Sequence, residues 1–578
     1  MVDTLIKGGL VVDGTGEPSH LGDVAIHQGH FVPPDQVGVG AKIIDAAGLV
    51  VAPGFVDIHT HYDAQLFWDP AATPSPLHGV TTAIGGNCGF TLAPAGPDHA
   101  AYLMRMMARV EGMPLAALEA GLDWEWTSYR DFVARLEGRI GINAGFLIGH
   151  SAVRRSVMGD DCHLEASSDQ IAAMARIVAE ACRAGALGFS TSAAPTHHDG
   201  AGDPVPSRGA RDEELVALAQ AVEPFAGTTL EAILAGCLNG FTPEEKDLLA
   251  QMSVGGNRPV NWNVLGVSAA NPTSHETQLA ASDYVADHGG RLVALTLPHS
   301  MKIRLSFLSG FVLDGLPGWR PIMALLVDER IVALSDPQVR RRLTEGATSP
   351  EAGVLRALAA WERLVITETF ASVNAPYEGR TVGDAVSDRG GTEDPFDVLL
   401  DIVVADGLRT GLRPGGMAET EADWKVRAEV WRDDRAVVGG SDAGAHLDMM
   451  CGAIYSTALL SHGVRQFGVI SLEEAVHQLS GVPAELYGLK KRGRIAPGYA
   501  ADVVIFDPNE VGYGPERMRT DLPGGAWRLY AEGKGIHRVL VNGVGLVTDG
   551  RLSGDTPGTL LRSGRDTTTV TPTGGGRH

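Results

Sequence analysis

The stretch from Ala52 to Asp63 reads Ala-Pro-Gly-Phe-Val-Asp-Ile-His-Thr-His-Tyr-Asp, and it constrains the fold more than any other part of the chain. As a strand, it places Phe55, Asp57, His59 and His61 on one face and Val56, Ile58 and Thr60 on the other. The apolar second face suits burial under helices. The first face ends in two imidazoles about 7 Å apart, two residues at ~3.3 Å each. Histidine is the commonest side-chain metal ligand, and two at one strand end can grip one ion without ordering a loop. Taken alone, a His-x-His pair is equally compatible with polar residues where a strand meets solvent. Pro53-Gly54 before the strand and Asp63 after it favour the metal reading.

The flanking pattern says what such a strand belongs to. Residues 3–50 read as short strands broken by turns such as Asp13-Gly14-Thr15-Gly16. From Gly54 to about Gly488 strands alternate with helices, the strands falling near 54–60, 80–85, 142–149, 185–190, 228–234, 259–266, 292–297 and 436–441. Ile171, Met174, Ile177, Val178 and Ala181 form one helical stripe, and Thr242-Pro-Glu-Glu245 and Ser471-Leu-Glu-Glu474 have the form of helix starts. The Met-rich run 103–107 reads as helix packing. Eight strands separated by helices predict an α/β fold, a (β/α)8 TIM-like barrel spanning 53–488 with its active site at the carboxyl ends of the strands. The interval 298–435 is too long for a loop and predicts a helical insertion before the last barrel strand. After Leu489 short strands return, so 1–52 and 489–562 are expected to build one small β-sandwich domain from both chain ends. The Thr-, Gly- and Arg-rich segment 563–578 reads as a disordered tail.

Charge and cysteine usage narrow the partners. A net charge of −23 opposes a nucleic-acid or anionic-membrane surface. No run of ~18 apolar residues is present, and the first residues lack a basic region followed by an apolar one, so neither a spanning segment nor a signal peptide is expected. Five scattered cysteines without Cys-x-x-Cys pairs fit a reducing, cytoplasmic setting. The expected partner is a small-molecule substrate, and homo-oligomerisation is left open.

The motifs together resemble the amidohydrolase superfamily and, within it, the D-aminoacylase (N-acyl-D-amino-acid deacylase) branch. Ile6-Lys-Gly-Gly-Leu-Val-Val-Asp-Gly14 followed by Pro53 to His61 looks like the superfamily's small sandwich leading into barrel strand one. Arg492-Gly-Arg-Ile-Ala-Pro-Gly-Tyr-Ala-Ala-Asp502 looks like the return into it. Gly79 to Gly89, Gly149-His-Ser-Ala-Val-Arg154 and Gly440-Ser-Asp-Ala-Gly-Ala-His446 are similar to the D-aminoacylase branch in particular.

The resemblance implies Zn2+, one or two ions per chain or another divalent ion, held by His59, His61, Cys88 and Asp442. Asp442 would also be the general base and acid. An Asp there is otherwise a helix N-cap, and a buried Cys otherwise an inert small hydrophobe. The pattern breaks at strands five and six, where the branch places histidines: this chain has Glu231 in one and Asn261 and Asn263 in the other. Glu231 is a candidate metal ligand through oxygen, or else a hydrogen-bonded core carboxylate, and a single ion is the preferred picture. His150, Arg154, Ser190, His198, His299 and His446 are candidate substrate-binding residues, with a surface ion pair the alternative for Arg154. The expected activity is hydrolysis of an N-acyl amino acid, of D configuration if the branch resemblance holds. Two alternatives remain: a cyclic amide, carbamate or small peptide as substrate, or a metal-free barrel that serves as a binding or assembly protein.

Overall fold

The computed structural model describes residues 3–36, 40–301, 303–310, 312–415 and 419–573. It divides into two compact units, one made of Met1–Ser300, Thr420–Leu447 and Cys451–His578, the other of Met301–Glu419 and Asp448–Met450.

In the first unit, eight parallel strands follow the alternating pattern: Phe55–Asp57, Val80–Gly85, Asn143–Phe146 continued by Ile148–Gly149, Gly188–Ser192, Thr229–Ile233, Val260–Leu265, Leu292–Thr296 and Ala436–Val438. Each pairs with the next, and a parallel bridge between Thr60 and Ala443 joins the end of the first to the end of the eighth, closing the barrel. Val56, Ile58, Ile84, Leu187, Val293, Leu295 and Val437 share one buried apolar cluster with Val482 and Leu486 of the helix Gly481–Leu486. The outward faces of the strands are therefore sealed by helices, as parallel sheets require.

Helix starts follow the sequence closely. Thr242 accepts from Glu245 N–H while the Glu245 side chain returns to Thr242 N–H, and Ser167 and Gln170 do the same before the helix Ser168–Arg183. That helix buries Met174, Val178 and Ala181, and Leu103, Met106 and Met107 are buried in the helix Pro97–Val110.

Both chain ends contribute to one nine-stranded sheet, in which Val50–Pro53 lies between Thr4–Val11 and Val503–Phe506. Gly54 carries the chain from that sheet into the barrel. A Cβ there would sit 2.2 Å from Thr81 Oγ1, so only glycine allows the crossing. The segment expected to be disordered from 563 is instead held as far as Thr569, whose Oγ1 accepts from Gly227 N–H (2.9 Å). Thr567 is buried and donates to Gly227 O (2.7 Å), Thr568 N–H donates to Gly488 O (2.7 Å), and Ser563 N–H donates to Gly185 O. Hydrogen bonds to threonine hydroxyls and backbone, rather than apolar burial, fix this strap, which is why composition misread it; residues 574–578 lie outside the described ones.

The second unit has its own core. Trp319, Trp361 and Phe396 stack with centroids 4.8–5.7 Å apart among Phe307, Leu334, Leu343 and Leu399, above an antiparallel pair, Val365–Glu368 with Gly411–Arg413. The expected insertion ran to 435, but the continuous stretch of this unit stops at Glu419 and only Asp448–Met450 follows. The helix Glu421–Trp431 belongs to the first unit, where Trp424 packs on Trp431 and His462, and Gln478 donates to Trp431 O.

His78 supplies a pH probe of the barrel. Its ring is fully buried between Thr457 Oγ1 (2.8 Å) and Ala531 O (3.1 Å), and burial pushes its pKa down to about 4 from 6.5. Between these values the unfolded chain binds the proton and the folded chain does not, so stability falls as pH drops from 6.5 towards 4. At ~1.4 kcal/mol per pKa unit the total is about 3 kcal/mol. Urea melts at pH 7 and at about pH 4.5 should show wild type losing more stability than His78→Gln, and equal losses would refute the assignment.

Candidate metal centre

At the carboxyl ends of the strands, His59 Nε2, His61 Nε2 and Cys88 Sγ lie within 4.8 Å of one another, all buried. Cys88 Sγ is 3.3 Å from His59 Nε2 and 3.9 Å from His61 Nε2. Asp442 Oδ1 completes the group at 3.1 Å from His61 Nε2 and 3.5 Å from His59 Nε2. Local backbone geometry aims these groups. Thr60 N–H donates to Ile84 O and His61 N–H to Ala443 O, so the His-x-His end is pinned on both sides by neighbouring strands. Asp442 N–H reaches His59 O (3.1 Å), and Ser441 Oγ donates to Asp57 Oδ2 (2.6 Å). Gly444, at φ +93°, packs against the His61 backbone, where a Cβ would meet the carbonyl at 2.8 Å. Cys88, Asp442 and His446 all have positive φ (56°, 60° and 50°). For residues with a Cβ this costs of order 1–3 kcal/mol each and clusters at functional sites.

The sequence candidates divide sharply. Glu231 is buried beside the cluster: its Oε2 accepts from Cys88 N–H (2.8 Å), and its Oε1 is buried with no hydrogen-bond partner. His446 Nε2 lies 3.6 Å from Asp442 Oδ2. His299, after strand seven, bonds Ser300 O through Nδ1.

Four of the substrate-binding candidates are engaged by partners within the protein. His150 is fully buried and bonded on both ring nitrogens, to Thr191 Oγ1 (2.9 Å) and Glu214 Oε1 (2.8 Å). Arg154 is also fully buried, not a surface pair; it donates to both Glu214 oxygens and to Cys162 O and Leu164 O, leaving no direction for a substrate carboxylate. Ser190 accepts from Gly89 N–H and donates to Gly86 O, so it shapes the loop that carries Cys88. His198 turns to Thr196 O and Arg208, while its neighbour His197 lies tilted against Phe90 with Nδ1 on Ser192 Oγ (2.7 Å). Burial, and then the field of His446, hold His197 neutral with a pKa of about 3.

Sequence reading missed one member of the site, Glu111, and named another, Asn263, only as a break in the family pattern. Asn263 bridges the group, its Nδ2 3.0 Å from His59 Nε2 and its Oδ1 4.0 Å from Cys88 Sγ; its place at the end of strand six was the available signal. Glu111, just past the helix Pro97–Val110, puts Oε1 3.5 Å from His61 Nδ1, and no spacing in the sequence pointed to it.

The amidohydrolase family model matches residues 42–547. The chain belongs to the amidohydrolase family. An N-acyl-D-aspartate deacylase of Alcaligenes xylosoxydans xylosoxydans is 28% identical over 97% of this chain and 95% of its own length. From the same organism, an N-acyl-D-glutamate deacylase is 27% identical (97% and 96%) and a D-aminoacylase 26% identical (97% of each). A crystal structure of D-aminoacylase superposes with a TM-score of 0.63 at 24% identity, covering 97% of this chain and all of that one, and so shares the fold.

The donor set of this amidohydrolase fits a divalent ion. Two imidazoles, a thiol and a carboxylate converge from three strand ends, a soft and borderline mixture that suits zinc. Around them lie the buried carboxylates Asp57, Asp63, Glu111 and Glu231. Burial raises Asp57 to about 7, Asp63 to about 6 and Glu231 to about 8, because each carboxyl is taken out of water. The two histidines move in opposite directions. Burial drives His59 down to about 3, whereas for His61 burial is outweighed by Glu111 and then Asp442, raising it to about 9. Burial also opposes ionisation of Asp442, but His61 holds that carboxyl well below the usual range.

Proposed function

We propose that this amidohydrolase uses a divalent ion to deacylate an N-acyl amino acid of D configuration. The observation that carries the reading is the buried His59, His61 and Cys88 donor triangle with the Asp442 carboxylate at its edge. The choice of substrate class is supported by the three deacylating relatives, each matched over at least 95% of its length. His59, His61, Cys88 and Asp442 would hold the ion, with Glu231 Oε1 the next oxygen available. When bound, a divalent ion polarises the amide carbonyl and lowers the pKa of water from about 15.7 toward ~7.

The chain's own residues then handle the proton. Asp442 is held ionised by His61, so Oδ1 is ready to accept a proton from the attacking water and return it to the leaving nitrogen. His446, 3.6 Å from the second Asp442 oxygen, steadies that carboxylate as it changes charge. His197, neutral and fixed through Nδ1, keeps a hydrogen-bonding ring beside the Cys88 loop, and His299 after strand seven is retained as a substrate contact. Arg154 and His150 instead brace strands three and four through Glu214.

We place the protein in the cytoplasm, supported by five unpaired cysteines, all buried. No described helix is long and apolar enough to cross a membrane.

The test is a panel of N-acetyl-D- and N-acetyl-L-amino acids, with hydantoin as a cyclic amide, assayed for product with the zinc-loaded protein. Release of free D-amino acid at least ~10²-fold faster in kcat/KM than its L-enantiomer, with hydantoin untouched, is the expected result; that ratio is about 2.7 kcal/mol of transition-state discrimination. Turnover of hydantoin alone would overturn the substrate class.

A further inference from the structure

His61 offers its two ring nitrogens to different surroundings. Nε2 faces Asp442 Oδ1 at 3.1 Å and Cys88 Sγ at 3.9 Å, on the donor side of the centre. Nδ1 is buried on the opposite edge, where the nearest charged group is Glu111 Oε1 at 3.5 Å. An imidazole that gives Nε2 to an ion must carry its proton on Nδ1, and a buried N–H without an acceptor is costly.

The placement of Glu111 has no simpler explanation in the fold. It is the residue after the last turn of the helix Pro97–Val110, its N–H bonded to Met107 O. A carboxylate there meets the negative end of the helix dipole and destabilises the helix. It is also buried, 3% exposed, where a glutamate is rarely found without a partner. The imidazoles facing it come from two other elements, His61 at the end of strand one and His446 in the turn after strand eight, and the Asp442 carboxylate faces it from that same turn. To that same turn it contributes a second contact, since His446 N–H donates to Glu111 O (2.5 Å). His446 adopts φ +50°, a conformation that needs such an anchor. One residue from outside the eight strands thus touches both strand ends that carry the His-x-His pair and Asp442.

We propose that Glu111 is the positioning residue of the metal centre: its carboxylate accepts the His61 Nδ1 proton and leaves Nε2 open to the ion, and its backbone carbonyl holds the turn that presents Asp442. The inference rests on the metal-dependent reading above. A carboxylate behind a ligating histidine fixes its tautomer and ring orientation, and its loss typically weakens metal binding by about 10–100-fold.

The experiment is zinc affinity by chelator competition on the purified full chain, for wild type, Glu111→Gln and Glu111→Asp, beside thermal melting of each metal-free protein. Glu111→Gln is expected to bind zinc about 10–100-fold more weakly with little change in melting, and Glu111→Asp to recover part of that loss. A folded Glu111→Gln protein with zinc affinity within twofold of wild type would overturn the inference while leaving the metal-dependent reading intact. Wild type that binds no zinc or other divalent ion would overturn both. Should Glu111→Gln fail to fold, the Asp variant decides: intermediate affinity supports the role, and wild-type affinity refutes it.

Discussion

Asp442→Asn will lower kcat by at least ~10²-fold while the melting temperature stays near that of wild type. The amide keeps the size of the carboxylate and its backbone contacts to His59 O and Ala445 N, so the turn after strand eight has no reason to move. What it cannot do is accept a proton. General acid–base catalysis is worth about 10²–10⁴-fold, and weakened contact with the ion adds to the loss. The wild-type pH profile should fall on its acid side as the Asp442 and His61 pair takes up protons. Those groups titrate as a set rather than singly, because His61 Nε2 and Asp442 Oδ1 are 3.1 Å apart. If the zinc-loaded Asn variant stays within a few-fold of wild type, the proton carrier is another group, and His446 and His299 would be tested next.

The second large effect is on metal content. Changing His59 and His61 together to Ala removes two of the three mutually close donors, leaving Cys88 and Asp442. Removal of an outer partner alone costs about 10–100-fold in affinity, so loss of two direct donors should exceed ~10²-fold and leave the protein metal-free after dialysis. Elemental analysis per folded chain checks this, and full retention would remove the two histidines from the site. Glu231→Gln in parallel separates the roles open to that residue. Lower occupancy marks Glu231 Oε1 as a ligand, whereas unchanged occupancy with lower stability marks Glu231 as the acceptor that holds Cys88 N–H.

Features encoded over a few residues were legible in the sequence. The positions of the eight strands, the Thr242 capping box and the His59–His61 pair rest on local spacing, while Cys88 and Asp442 came from the motifs that carry the family resemblance. Features created by long-range packing were not. Arg154 looked suited to a substrate carboxylate because nothing near it in sequence revealed Glu214, sixty positions on and 2.5 Å away in the fold. His197 and His198 are indistinguishable as letters, and only the course of the turn after strand four decides which one lies beside Phe90. Asn263 reads in the sequence only as a break from the family pattern, yet its strand carries it to the centre regardless of its chemistry. Glu111 follows an amphipathic helix whose pattern reports only the apolar side.

The interleaving of the two chain ends has a consequence for how the protein is made. Val50–Pro53 leads directly into the first barrel strand, yet one of its two neighbours in the sheet is Val503–Phe506, hundreds of residues later. The strap around Leu560 and Thr567 bridges to Ala144 in strand three, bonds Gly227 just before strand five and closes on Leu489. A ribosome therefore releases the His-x-His strand long before its supporting sheet can be completed, and the last contacts of the barrel await the final part of the chain. Closing loops of that length is slow and leaves apolar strand faces exposed meanwhile. Vectorial synthesis gives this barrel no early folded half, so its yield in a cell should depend on chaperone capacity more steeply than its final stability would suggest.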